Sequence, residues 1–124
     1  MKAIILAGGL GTRLGNLTES IPKPMVKIDN KPILYHIMST FSKHGINDFV
    51  IALGYKSEVI KEYFLNFKER NSNFLINIKS GKKEYHNEIL NNWNVSLVDT
   101  GIDTMTGGRI KRIEDYIKDE EDFI

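Results

Sequence analysis

The residues best equipped for chemistry sit in GGLGTRL, Gly8 to Leu14, where Gly8, Gly9 and Gly11 crowd ahead of a fixed cation, Arg13. Glycines without a Cβ let backbone N–H groups come close to an anion. The stretch therefore reads either as a phosphate-cradling loop or as a bare glycine turn. Spacing rules out two familiar phosphate loops. A Walker loop ends in Gly-Lys-Ser/Thr, whereas Gly11 is followed by Thr12 and Arg13, and a dinucleotide fingerprint needs a third glycine where Leu14 stands.

A second chemical stretch is PKPM, Pro22 to Met25. Both prolines fix their own φ, and Pro24 is expected to push Lys23 towards an extended backbone, which mounts the ammonium on a stiffened segment. A stiff mount suits a catalytic charge; a solvated lysine in a proline loop is the alternative. Arg109 gives a third clue. Thr106 suits a helix cap, and a cation in the first turn after it is opposed by the helix dipole unless an anion binds there; a solvent-exposed arginine is the alternative.

Other candidates carry no chemistry. His36, His44 and His86 show no close metal-ligand pairing. The acidic run within Lys118 to Asp122 reads as a solvated face, and Lys82-Lys83 is too short for a nucleic-acid patch.

Regular elements must place these residues. Ala3 to Ala7 is a short, continuously apolar run closed by glycines, the pattern of a central parallel strand buried on both faces. Pro32 suits a first helical position, Ile33, Leu34, Ile37, Met38 and Phe41 form an apolar stripe, and Gly45 is a stop. Phe49 to Leu53 repeats the buried-strand pattern. Ser57 suits the cap of a helix whose stripe is Val59, Ile60, Tyr63, Phe64 and Phe67. Strands are expected at Phe74 to Ile78 and Trp93 to Val98, separated by the polar stretch Lys79 to Asn92, and Ile110, Ile113, Tyr116 and Ile117 mark a last helix. Alternating strands and helices imply crossover connections and an α/β, doubly wound, mostly parallel sheet. In such a sheet ligands gather beyond the carboxyl ends of the strands, which is where the glycine loop begins.

Composition narrows the classes. The chain of 124 residues is 41% hydrophobic and 27% charged, which fits one globular unit. A net charge of +1 with scattered basic residues argues against a nucleic-acid surface. Without cysteine there is no disulfide framework and no thiolate metal site. The apolar run before the glycines is too short for a signal peptide or membrane span, so a cytoplasmic location without membrane association is expected.

In combination, LAGGLGTRL followed by PKPM resembles the sugar-1-phosphate nucleotidyltransferase family. DTMTGGRIKR, Asp103 to Arg112, is similar to the branch of that family that transfers a cytidylyl group to glucose 1-phosphate. KPILYHIM, GINDFVIALGYK, VIKEYF and VSLVDTG extend the likeness over nearly all of the chain. The resemblance implies a Rossmann-like fold of the nucleotide-diphospho-sugar transferase type. It also implies that Leu6, Ala7, Gly8, Gly9 and Leu10 line a nucleotide, that Gly11, Thr12 and Arg13 hold its triphosphate, that Lys23 contacts the reacting phosphates, and that Thr104 and Arg109 complete the site. Arg13 and Lys23 are the implied catalytic cations. The implied substrates are CTP and glucose 1-phosphate, with Mg2+ as cofactor and a homo-oligomer as the assembly of the full-length protein. In that family the metal-binding aspartates lie beyond the position of Ile124. Residues 1–124 are therefore expected to be the nucleotide-binding N-terminal part of a single, longer nucleotidyltransferase domain, inactive alone.

Overall fold

The chain runs β1 (Lys2–Leu6), one turn of 3-10 helix (Lys23–Met25), β2 (Lys27–Ile28), β3 (Lys31–Pro32), α1 (Ile33–Lys43), β4 (Asp48–Leu53), α2 (Ser57–Leu65), α3 (Phe67–Arg70), β5 (Phe74–Ile76), β6 (Lys83–Tyr85), β7 (Asn94–Asp99) and α4 (Glu114–Ile117). The structure, a computed structural model, describes residues 1–8, 21–87, 91–101, 108, 111 and 113–117.

β1, β4 and β7 form a parallel sheet in the order β1-β4-β7. Strand period sorts their side chains into two faces. Rows Ala3-Phe49-Val95 and Ile5-Ile51-Leu97 point to one face, and rows Ile4-Val50-Ser96 and Leu6-Ala52-Val98 to the other. Leu34 and Met38 of α1 and Ile60 and Tyr63 of α2 cover the first face. Ile113, just before α4, packs with Ile4, Val50, Ala52 and Val98 on the second. Both faces are thus covered, as the doubly wound reading requires.

Among the described strands β4 is central and β1 lies at the edge, with Leu6 41% exposed while Phe49 to Leu53 are all buried. A continuous apolar run tells that both faces are covered; it does not tell how many edges are paired.

α1 forms where expected, though Pro32 precedes it as the N-cap residue and Ile37 remains exposed. Gly45 at φ 85 ends it: Gly45 N–H reaches the Ser42 carbonyl at 3.0 Å and Ile46 N–H reaches that of Phe41 at 3.1 Å, a Schellman closure. Ser57 is the first residue of α2 and not its cap; the left-handed Lys56, φ 51, occupies the N-cap position without a side-chain cap bond and turns the chain into the helix. The expected strand Phe74 to Ile78 shrinks to β5 and pairs antiparallel with β6, a strand drawn from the polar stretch. This hairpin lies outside the parallel sheet and leaves Ile78 85% exposed. Its turn is closed locally: Asn77 Oδ1 accepts from Ser80 N–H at 2.9 Å, and Gly81 adopts φ 76. A short loop closes at lower entropic cost than a crossover to the sheet. Of the last helix, Glu114–Ile117 is described. No helix among the described residues is long and apolar enough to cross a membrane.

Candidate functional site

Three strands end at one edge, and a glycine follows each closely. The register Leu6-Ala52-Val98 sets Ala7, Leu53 and Asp99 one row further on. Ala7 N–H extends the ladder to Ala52 O at 2.9 Å before the buried Gly8. Gly54 follows Leu53, and Thr100 precedes Gly101 at φ 91. Thr100 is fully buried and donates both its N–H and its Oγ1–H to Leu53 O, each at 2.8 Å.

α1 and α2 lie on one face as the chain steps from β1 to β4 to β7, and Ile113 lies on the other face. In a parallel sheet covered on both faces, ligands bind outside the carboxyl ends of the strands, which is the edge where these glycines lie.

Lys23 is mounted differently from the expectation. It opens a 3-10 turn instead of lying extended: Met25 N–H reaches Pro22 O at 2.9 Å and Val26 N–H reaches Lys23 O at 3.2 Å. Pro24 sits in the first turn, where its missing N–H leaves no bond unmade. The stiffness has another source, burial. Pro22 and Met25 are buried while Lys23 is exposed, and Met25 shares one apolar cluster with Ala7, Leu34 and Met38. The β2–β3 hairpin follows, turned by Asp29 at φ 51 and Asn30 at φ 66. It is tied to α1 by Ile33 N–H to Val26 O at 2.9 Å and by His36 Nε2 to Ile28 O at 2.7 Å. The end of β1 and the seat of Lys23 thus rest on the same core.

Of the expected site residues, Leu6, Ala7, Gly8 and Lys23 are described. Gly9, Leu10, Gly11, Thr12, Arg13, Thr104 and Arg109 lie outside the described residues, as do Thr106 and the acidic run at Lys118 to Asp122. Two residues at the edge were not singled out in the sequence, Asp99 and Thr100; the Asp-Thr-Gly stop after an apolar run was the available signal. Lys61 Nζ meets Asp99 Oδ2 at 2.5 Å, and this bond, aided by Ser57, holds the carboxyl below its usual range against partial desolvation. Asp99 is therefore committed to a cation. Among the described residues no three His, Cys, Asp or Glu side chains converge to hold a metal ion. The described residues do not fit a Mg2+ site.

A groove of about 410 Å³ runs along β7 and is lined mainly by Phe64, Phe67, Trp93, Val95 and Leu97. It is apolar and offers no reacting group.

The sequence profile described as Nucleotidyl transferase matches residues 2–100. The chain is 54% identical over 124 residues to glucose-1-phosphate cytidylyltransferase of Salmonella typhimurium, covering 100% of this chain and 48% of that protein. It is 43% identical over 120 residues to the probable glucose-1-phosphate cytidylyltransferase of Bacillus subtilis, covering 97% and 47%. Among solved structures it is similar to the CTP:phosphocholine cytidylyltransferase of Streptococcus pneumoniae, with a TM-score of 0.60 and 29% identity over 94% of this chain and 40% of that one. The chain spans about half the length of the curated relatives it matches.

Proposed function

The chain belongs to the nucleotidyl transferase family, and from that premise we propose that the whole protein is a glucose-1-phosphate cytidylyltransferase. It would convert CTP and α-D-glucose 1-phosphate to CDP-glucose and pyrophosphate. The observation that carries this reading is the identity of 54% to the Salmonella enzyme across all 124 residues. Residues 1–124 are read as the nucleotide-binding N-terminal part of one nucleotidyltransferase domain.

The residues suit the reaction. A phosphate oxygen of glucose 1-phosphate attacks the α-phosphorus of CTP in line, the bond from that phosphorus to the bridging oxygen breaks, and pyrophosphate departs with the electron pair. No protein nucleophile is needed; positioning and charge neutralisation do the catalysis. Leu6 to Leu10 line the nucleotide in this reading. Gly11, Thr12 and the planar guanidinium of Arg13 hold the triphosphate. Lys23, exposed on a buried seat, places a compact cation between two phosphates that would otherwise repel. Thr104 and Arg109 complete the pocket. Mg2+ belongs to the reading of the whole protein, with ligands other than the described carboxylates. A cytoplasmic homo-oligomer is the proposed state.

The test is turnover by the full-length protein, offered each nucleoside triphosphate with glucose 1-phosphate while pyrophosphate release is followed. CTP-selective release supports the reading. Preference for another base moves the protein to another branch of the family, and no release with any base overturns it.

A further inference from the structure

A second cavity, about 220 Å³, lies between the β2–β3 hairpin and the end of α3. Lys27, Lys31 and Arg70 line it together with Asn71, and no described carboxylate does. Among the described residues Lys31 and Arg70 meet only neutral groups. Lys31 Nζ donates to Asn71 Oδ1 at 2.5 Å and lies 5.1 Å from the centre of the Tyr35 ring, and the Arg70 guanidinium lies 5.7 Å from that of Tyr63. Lys61 and Lys83, by contrast, each meet a carboxylate. Three positive charges brought together without an anion repel one another, although Lys27 and Arg70 are themselves exposed.

Tyr63 adds an independent observation. It lines the same cavity, is 6% exposed, and its buried hydroxyl has no hydrogen-bond partner among the described residues. A buried, unpaired hydroxyl is costly, and such a group in a native fold calls for a partner. Burial pushes its ionisation up to about 12, so the phenol stays a donor at neutral pH. Three cations and one spare O–H donor form a set complementary to a phosphate group.

We propose that this cavity is an anion site that takes a single phosphate or pyrophosphate group, with Lys27, Lys31 and Arg70 supplying charge and Tyr63 a hydrogen bond. The cavity is below the roughly 300–1,000 Å³ of ordinary small-molecule sites, a size that suits a small anion. Its hairpin begins two residues after Met25, so an anion bridging the hairpin to Arg70 braces the segment that seats Lys23. The ligand is a free phosphate, a product pyrophosphate or the phosphate of a small ester.

Calorimetric titration of the full-length protein at fixed ionic strength tests this. An Arg13→Ala/Lys23→Ala background removes the cations of the proposed catalytic site. In it, inorganic phosphate, pyrophosphate and glucose 1-phosphate are compared with chloride, and the arm that binds most tightly identifies the source. A saturable site is expected to persist in that background. Arg70→Gln should weaken it about tenfold, the scale of one charge-assisted hydrogen bond. Lys79→Gln, which removes the same charge outside the cavity, should leave it unchanged. Tyr63→Phe, which keeps the ring and deletes only the hydroxyl, should also weaken binding if Arg70→Gln lowers the melting temperature. No saturable binding in the background, equal loss with Arg70→Gln and Lys79→Gln, or binding untouched by both cavity variants overturns the proposal. Each outcome leaves the cytidylyltransferase reading to its own turnover assay.

Discussion

Thr100 donates twice to one acceptor, the carbonyl oxygen of Leu53, through its N–H and its Oγ1–H at 2.8 Å each. The bond pair locks the chain leaving β7 to the end of β4 at the edge where the strands stop. A buried threonine is satisfied in this way.

Thr100→Val keeps the shape and the backbone bond and removes only the hydroxyl donor. The carbonyl remains satisfied, so the loss should be about 0.5–1.5 kcal/mol, the net worth of one hydrogen bond. A shift of the urea midpoint at constant m-value measures it. An unchanged midpoint would show that the hydroxyl bond contributes nothing to the edge.

Lys23→Ala tests the proposed chemistry. In the full-length protein kcat/KM should fall about a hundredfold or more, roughly 2.7 kcal/mol of lost transition-state stabilisation. Lys23 is exposed, so the melting temperature should hold. Retained kcat/KM would remove Lys23 from the mechanism.

Leu34→Ala reaches the same site through packing. Leu34 is fully buried and shares a cluster with Ala7 and Met25, and a cavity there should cost about 2–5 kcal/mol. Denaturant unfolding checks the loss. Since that cluster seats Lys23, kcat should fall as well at temperatures where the variant is still folded.

Glu69 sets a pH response in the β5–β6 hairpin. It accepts from Tyr85 Oη at 2.6 Å and from Lys83 Nζ at 3.2 Å, which hold its carboxyl down from 4.5 to about 2. A depressed folded value means that this tether is complete above pH 4.5 and is lost as pH falls towards 2. Protection factors of the hairpin amides, taken relative to intrinsic exchange at each pH, should therefore fall across that interval, and Glu69→Gln should flatten the dependence. The same pH dependence in the variant would place the effect elsewhere.

Much of the architecture is legible in the order of residues. The apolar runs at Ala3 to Ala7 and Phe49 to Leu53 and the strand candidate Trp93 to Val98 match three parallel strands to within a residue or two; a strand covered on both faces reads as a near-continuous apolar run, as β4 does. Gly45 stops α1 because its positive φ is free of steric cost. The glycine loop and PKPM are equally local, and their chemistry follows from residue type and spacing.

What tertiary structure decided is everything that depends on a distant partner. Nothing in Ala3 to Ala7 distinguishes a centre from an edge, since strand order is set by which distant strands pair. β6 hides in a polar stretch because its partner β5 is chosen by loop closure. Lys23 owes its rigid seat to the burial of Pro22 and Met25, while its neighbouring prolines predicted the wrong backbone. Lys27, Lys31, Tyr63 and Arg70 are unremarkable in sequence. Only the packing of the hairpin against α2 and α3 gathers their charges and a spare hydroxyl around one cavity, because convergence in space is a property of the fold and has no period in the chain.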